Sequence, residues 1–386
     1  MEVRSLRVVG HDASRTGAPQ SLLTFLRWVR DHRPGVRIHT SLVRGGPLLR
    51  EFASVGPVRS PGPVGRGAAS VLASAGSTSR PGSVLGAIVA ERVVGRSDAD
   101  VELVNTLAAL DVASRRTAQR ARRVVVVHEL DGVAERVLPP GPGRSRALAG
   151  VERFLAAGPA VATMLIERWG VAADRVFVVP EFVADVPVDP EEVRALRRAV
   201  VAGGRRPIVL SCGEASARKG SDRFVDLIAS FPDGPNAPVG VWVGGTPGSL
   251  GWSELCADRE ASGLGDRLVL VPSTPSARAW IEAADVVVST AREDPYPLVV
   301  LEAATSGRPV VATDSGGVRT VLGSAGLGDL VVGQGDVLAL RDRVAELLGD
   351  EVRRGRVGAQ LRRTVGEDHG AAVVGPQWWS AMVEGA

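Results

Sequence analysis

Four consecutive valines at 124–127, in RVVVVHEL, constrain the fold more than any other stretch of this chain. A β-branched run without polar alternation has no face to give to water, so it predicts a strand covered on both sides. Such strands belong to parallel sheets with helices packed on each face. The rest of the sequence repeats the pattern. Apolar runs at 6–11, 36–43, 100–106, 154–158 and 176–179 predict further strands in the first half, and runs at 207–212, 239–244, 268–271, 285–289 and 308–313 a second set. Between them lie segments with helical spacing, one opened by Pro19 and others over 47–55, 160–169, 221–231, 252–261, 276–284, 338–348, 352–365 and 377–383. Strand and helix in alternation place the chain in the α/β class.

The alternation is broken once. Residues 186–206 hold Pro187, Pro190, a short charged helix and the pair Gly203-Gly204, the composition of a linker. With 386 residues the chain can fill two cores. The predicted division is a Rossmann-like domain over 1–185, a second over 206–365, and a C-terminal helical segment over 366–386. Residues 56–80, rich in Gly, Ser and Pro, read as irregular. Residues 83–94 read as an amphipathic helix with Leu85, Ile88 and Val94 on one side, facing either the core or a lipid acceptor.

Charge narrows function mainly by exclusion. The net charge is only +3 and no basic stretch is interleaved with aromatics, so no nucleic-acid partner is expected. Cys212 and Cys256 show neither metal-ligand spacing nor a disulfide framework, as expected of a reducing compartment. With no apolar run of membrane-spanning length and no signal-peptide pattern, the expected location is cytoplasmic. A peripheral position at the inner membrane face is left open. Among the 46 Lys and Arg residues, Lys219 is the single lysine.

Chemistry concentrates where strands end. After DVVVS at 285–289 come Glu293, Asp294, Pro295, Tyr296 and Pro297. Each proline pushes the residue before it toward extended backbone, so no helix begins early, and Pro297 suits the first helical position. The predicted helix over 298–305 stops at Gly307, a left-handed cap. The free N–H groups of Leu298 and Val299, with the helix dipole, make an anion site at the strand end. Glu302 lies one turn in, its side chain tilted back toward that N-terminus. Two carboxylates flanking an anion hole suit a ligand with phosphates and hydroxyls.

Lys219 lies in GEASARKG between a predicted strand and helix, where its ammonium and the helix N-terminus both attract phosphate. His128 ends the four-valine strand, the edge at which open α/β sheets hold ligands. A hydrogen-bonded structural histidine is the alternative there. His11 and Gly17 belong to a strand–loop–helix unit, HDASRTGAP, of the kind that cradles phosphate, and His11 has the same structural alternative.

Together these stretches resemble one family. Asp294-x7-Glu302 followed by GRPVVATDSGG is similar to the acidic E-x7-E signature of the retaining GT-B glycosyltransferases of family 4. DPYPLVVLEA is close to a subgroup acting on cell-surface polysaccharides and glycolipids. HDASRTGAP, VHEL, PEFV at 180–183 and RKG at 218–220 extend the resemblance over most of the chain. It implies the GT-B fold: two Rossmann-like domains facing a cleft, with the C-terminal helix crossing back to the first domain. It also implies donor contacts by Gly17, Arg218, Lys219, Asp294, Leu298, Val299 and Glu302, with catalytic roles for His128, Lys219 and Asp294. In the family the first acid touches the donor sugar and the second holds the ribose hydroxyls. The lysine and backbone amides hold the diphosphate, and the strand-end histidine approaches the sugar. Four positions depart from the pattern. Asp294 replaces a Glu, Pro297 replaces a Gly and removes an amide donor, Gly213-Glu214 stands where many members have Gly-Arg, and Thr320 where many have Glu.

The implied activity is transfer of a sugar, with retention, from a nucleotide-sugar donor to a saccharide or lipid-linked acceptor, with no cofactor and no metal. Asp98-Ala99-Asp100 spells the D-x-D by which another transferase fold holds a divalent ion. Here it precedes its strand, at the opposite edge from where ligands bind. Two other readings remain: a sugar-nucleotide 2-epimerase on the same fold, and a catalytically degenerate partner subunit that binds sugar nucleotide.

Overall fold

The structure, a computed structural model, describes residues 2–61, 98–114, 121–184, 186–201 and 206–384. The helix expected over 83–94, most of the irregular 56–80 segment and the Gly203-Gly204 pair lie outside the described residues. The chain divides into two compact units, Met1–Glu181 with Ala371–Ala386, and Phe182–Gly370.

Seven parallel strands form the sheet of the first unit: β1 (Ser5–Gly10), β2 (Arg37–Leu42), β3 (Val58–Arg59), β4 (Val101–Asn105), β5 (Arg122–Val127), β6 (Arg153–Ala156) and β7 (Val176–Val178). Their order is β3-β2-β1-β4-β5-β6-β7. The four valines of β5 are all fully buried, as an unbroken run requires. Strand order reverses between β1 and β4, which pair from Leu6 opposite Val101 to Gly10 opposite Asn105. Ligands bind at the C-terminal ends of strands at such a switch point. Arg7, Glu102 and Arg123 lie in register on β1, β4 and β5, all buried, with Glu102 3.4 Å from one guanidinium and 2.5 Å from the other. A carboxylate buried between two arginines fixes register, because a one-residue slip leaves each charge unpaired.

The helix Gly17–His32 begins before the expected Pro19. Thr16 is already extended, and Pro19 falls in the first turn, where its missing N–H costs no bond. This helix packs against the last one, Ala371–Val383, with the rings of Phe25 and Trp378 5.3 Å apart. Gly375 approaches Trp28 so closely that a Cβ there would lie 2.5 Å from the indole. The last helix is longer than the expected 377–383 because it runs through Pro376 rather than starting after it. Trp378 and Trp379 are buried core side chains, and Trp378 Nε1 donates to Pro180 O at 2.9 Å.

The second unit repeats the design with β8 (Ile208–Cys212), β9 (Val239–Val243), β10 (Leu268–Val271), β11 (Val286–Ser289), β12 (Val310–Thr313) and β13 (Val331–Val332). The order is β10-β9-β8-β11-β12-β13, so its switch point lies between β8 and β11. β3 and β13 were not expected, since two-residue strands carry no periodicity to read. The helix expected over 352–365 runs Glu351–His369 and packs on Leu298–Thr305. At that crossing a Cβ on Gly358 would lie 2.1 Å from Gly307 O. Among the described residues no helix is long and apolar enough to cross a membrane.

Candidate functional site

Two loops meet at the switch point of the second unit. The loop after β8 ends in a helical turn, Ala217–Lys219, capped by Ser216, whose Oγ accepts from Lys219 N–H at 3.4 Å. Gly220 follows with φ +71°, and a Cβ there would lie 2.0 Å from Thr290 O. Both the dihedral and the close approach demand glycine. The loop after β11 is held from several sides. Asp294 N–H donates to Ser315 O at 2.9 Å and Gly317 N–H donates to Asp294 O at 3.0 Å. Arg218 Nη1 donates to Glu293 O at 2.9 Å, and Arg292 N–H donates to Arg218 O at 2.8 Å. Two residues 75 positions apart thereby come together: Lys219 Nζ is 2.5 Å from Asp294 Oδ2.

The helix Leu298–Thr305 corrects one expectation. Pro297 is its N-cap residue rather than its first helical residue, with ψ 103° and a carbonyl that accepts from Val300 N–H at 3.0 Å. An extended backbone at that point lets the chain leave the Asp294 loop before turning. Leu298 and Val299 therefore occupy the first two helical positions, whose N–H groups have no acceptor inside the helix, and no side chain caps this end. At the other end Gly307 is left-handed (φ +64°). Its N–H donates to Ala304 O and that of Arg308 to Ala303 O, both at 2.8 Å, which satisfies the last carbonyls.

Glu302 is half-buried, and burial pushes its carboxyl above the usual range, opposed by the charge of Arg278. Burial, with Glu302 nearby, drives the Cys212 thiol up to about 12. Asp294 is paired with Lys219, whereas Glu302 feels the charge of Arg278. Ser315, in the DSGG turn that sequence reasoning set beside the nucleotide, is buried, with no hydrogen-bond partner for Oγ among the described residues.

The first unit gathers its own polar set at the C-terminal sheet edge. His128 directly follows β5, with Nδ1 2.5 Å from Glu181 Oε1 and Nε2 2.8 Å from Asn105 Oδ1. Asn105 Nδ2 donates to Ala18 O at 3.0 Å, which turns Oδ1 toward the histidine. Both ring nitrogens thus face side-chain oxygens. Burial alone would depress the pKa of His128, but the charge and hydrogen bond of Glu181, with Glu129 adding, outweigh burial and raise it. His11 goes the other way: burial lowers it against the pull of Asp12. Its Nδ1 lies 3.2 Å from Thr106 Oγ1.

Thr106 has φ +88°, the one non-glycine positive φ among the described residues, and strain of this kind gathers at functional edges. Glu129 accepts from the N–H groups of Leu107 and His128, each at 3.0 Å. Gly17 opens its helix at the same edge of the sheet as Ala18. Asn105 and Thr106 were not singled out by sequence, because isolated polar residues at a strand end leave no pattern, and Glu129 and Glu181 entered only as parts of VHEL and PEFV.

Among the described residues no group of three or more His, Cys, Asp and Glu side chains is placed to hold a metal ion. Asp100 Oδ2 accepts from the N–H groups of Arg4 and Ser5 and from Ser5 Oγ, each at 2.9 Å. Those bonds, first that of the Arg4 N–H, hold its carboxyl below the usual range. It clasps the start of β1.

Residues 206–350 match the sequence profile of the family described as Glycosyl transferases group 1. A D-inositol 3-phosphate glycosyltransferase of Xylanimonas cellulosilytica is 32% identical over 271 residues, 65% of this chain and 64% of that protein. The lipopolysaccharide core biosynthesis mannosyltransferase LpsB of Rhizobium meliloti is 33% identical over 156 residues, 39% of this chain and 44% of that protein. The chain thus spans less than two thirds of the length of these curated relatives. Anabaena Alr3699/HepE, solved with UDP and glucose, superposes with a TM-score of 0.77 at 18% identity, covering 99% of this chain and 100% of that one. WaaG, a glycosyltransferase involved in lipopolysaccharide biosynthesis, superposes with a TM-score of 0.70 at 14% identity, covering 98% and 100%. These likenesses show the fold: two Rossmann-like units of the GT-B type.

Proposed function

We propose, from the match of residues 206–350 to the group 1 glycosyl transferases, that the chain moves a sugar from a nucleotide-sugar donor to a hydroxyl of a saccharide or glycolipid acceptor, with retention and without a metal. The observation that carries the proposal is the convergence of Lys219, Asp294 and the uncapped N–H groups of Leu298 and Val299 at one switch point. Cation and amides suit a diphosphate, and a fixed carboxylate suits sugar hydroxyls.

In this reading the bond between the sugar anomeric carbon and the phosphate oxygen breaks, and the nucleoside diphosphate leaves with the electron pair. Lys219 and the two amides stabilise the charge that grows on it. The acceptor oxygen bonds to the same face of the anomeric carbon, and its proton passes to the leaving phosphate oxygen. Glu302 takes the ribose hydroxyls. Arg218 steadies the Glu293 carbonyl with one N–H and offers its others to the diphosphate. On the first unit, Gly17 and His128 are proposed for the roles that the family resemblance implies. A lipid-linked acceptor would bring the work to a membrane surface.

The test is turnover of UDP-, GDP- and ADP-sugars with and without a panel of saccharide and glycolipid acceptors. Acceptor-dependent release of nucleoside diphosphate, with the donor's anomeric configuration kept in the product, is expected. Release of an epimerised sugar without acceptor identifies a 2-epimerase, and binding without turnover identifies a partner subunit. Failure to bind any of these donors overturns the reading.

A further inference from the structure

We propose that Asp294 makes the donor site discriminate a nucleotide sugar from the bare nucleoside diphosphate, by holding Lys219 whenever no sugar is present. The inference rests on the glycosyltransferase reading and deepens it. Its starting point is that the cation assigned to the diphosphate is already engaged. Lys219 Nζ lies 2.5 Å from Asp294 Oδ2, and the two side chains are 21% and 7% exposed.

The two partners are unequal in freedom. Asp294 is fixed through its own backbone, whose N–H donates to Ser315 O and whose carbonyl accepts from Gly317 N–H, and residue 294 also bridges to Gly316. Its backbone is thereby held on both sides, and the short side chain has little reach. Lys219 is held at its backbone by Ser216, but its stem runs over Gly213, whose added Cβ would lie 3.5 Å from the lysine Cδ. A long aliphatic stem on a glycine surface can swing. Ligand exchange at this site is therefore lysine leaving carboxylate for phosphate.

What happens to Asp294 then depends on the ligand. With a nucleotide sugar, the hydroxyls of the sugar donate to the carboxylate and replace the lost ammonium. With a bare diphosphate nothing donates. A nearly buried carboxylate is left uncompensated beside a terminal phosphate of the same sign, and both effects oppose binding. The consequence is a site that lets its product diphosphate go once the sugar has left.

Calorimetric titration of UDP, GDP and ADP, alongside UDP-glucose, GDP-mannose and ADP-glucose, tests this on the full chain. Asp294→Asn should bind the matching diphosphate about 10-fold more tightly than the native protein, while the sugar nucleotide gains nothing, so the ratio of the two affinities falls. In a Lys219→Ala background the same change should bring no gain. Unchanged or weaker diphosphate binding by Asp294→Asn overturns the inference, as does a gain that persists without Lys219. Asp294→Ser serves where the asparagine variant fails to fold.

A second readout needs no ligand. Because the chain has a single lysine, protein labelled with 13C at lysine Cε gives one side-chain signal. That signal should move in Asp294→Asn, and a signal indifferent to the change overturns the pairing. If no diphosphate and no sugar nucleotide binds the native protein, it is the glycosyltransferase reading that falls, and this inference with it.

Discussion

His128 Nδ1 stands 2.5 Å from Glu181 Oε1, so the carboxylate of the PEFV stretch pulls the strand-end histidine toward its charged form. With Nε2 2.8 Å from Asn105 Oδ1, both ring nitrogens are engaged. Glu181→Gln should lower the pH at which His128 titrates, followed by NMR of its ring carbons. The sign of the stability effect follows. A histidine raised in the fold stabilises fully below its unfolded value of about 6.5, and the contribution is lost as pH rises through the folded value. The variant should therefore lose on the order of 3 kcal/mol in mildly acidic buffer and progressively less in alkaline buffer. An unaltered His128 titration would show that Glu181 does not govern the ring.

Gly220 is where the second unit tolerates least. At φ +71°, with Thr290 O 2.0 Å from any Cβ, Gly220→Ala must move one of the two loops that bring Lys219 to Asp294. We expect a loss of at least about 2 kcal/mol by denaturant titration, from left-handed strain plus the clash. Nucleoside diphosphate binding should weaken along with it. Native stability in this variant would contradict the packing of Gly220 on Thr290.

Burial raises the carboxyl of Glu302 above its unfolded value, so ionising it at neutral pH works against the fold. A raised acid contributes its stability below the unfolded value of about 4.3 and loses it as pH rises through the folded value. Glu302→Gln should therefore raise thermal stability at pH 7 to 8, on the order of 1 kcal/mol, and the gain should vanish in acid. The same substitution should weaken nucleoside diphosphate binding, since the amide holds ribose hydroxyls less well. A variant that is less stable at neutral pH would refute the burial argument.

These cases show what was legible in sequence. The buried valines, the two sets of strands and the Gly307 cap follow from local rules, because β-branched runs and left-handed glycines act over a few residues. The Asp294–Glu302 spacing and Lys219 were also visible, one as a pattern and the other through the scarcity of lysine. What was not visible is pairing between distant loops. Lys219 with Asp294, and His128 with Asn105 and Glu181, depend on which strands lie next to one another at each switch point. The Arg7–Glu102–Arg123 triad is illegible for the same reason: three charged residues on three strands look like surface until the register stacks them.

Asp100 accepts three hydrogen bonds from Arg4 and Ser5, so a role in metal binding would first require releasing the start of β1. Transfer should therefore continue in excess EDTA. Asp98→Ala combined with Asp100→Ala should leave turnover nearly unchanged while lowering stability by about 1–3 kcal/mol, the cost of stranding those donors. Turnover abolished by chelation and restored by Mn²⁺ would reverse this.

Lys219 is the position on which turnover should depend most. Its ammonium sits on a long stem that, among the described residues, only one side-chain contact holds, whereas Arg218 is tied to the Glu293 carbonyl and Arg292 to Asp222. Removing it leaves the amides of Leu298 and Val299, with the remaining N–H groups of Arg218, to face the leaving diphosphate, and loss of one preorganised donor of this kind costs roughly 10²-fold or more in turnover. Lys219→Ala should show that loss. Lys219→Arg should recover only part, because a planar fork cannot follow the compact path of an ammonium over Gly213, and its bidentate geometry would favour Asp294 over a swing to phosphate. Steady-state kinetics with saturating donor separate the cases. Full activity in the alanine variant would remove Lys219 from the mechanism, and full activity in the arginine variant would mean that charge alone, without the swing, is what the diphosphate requires.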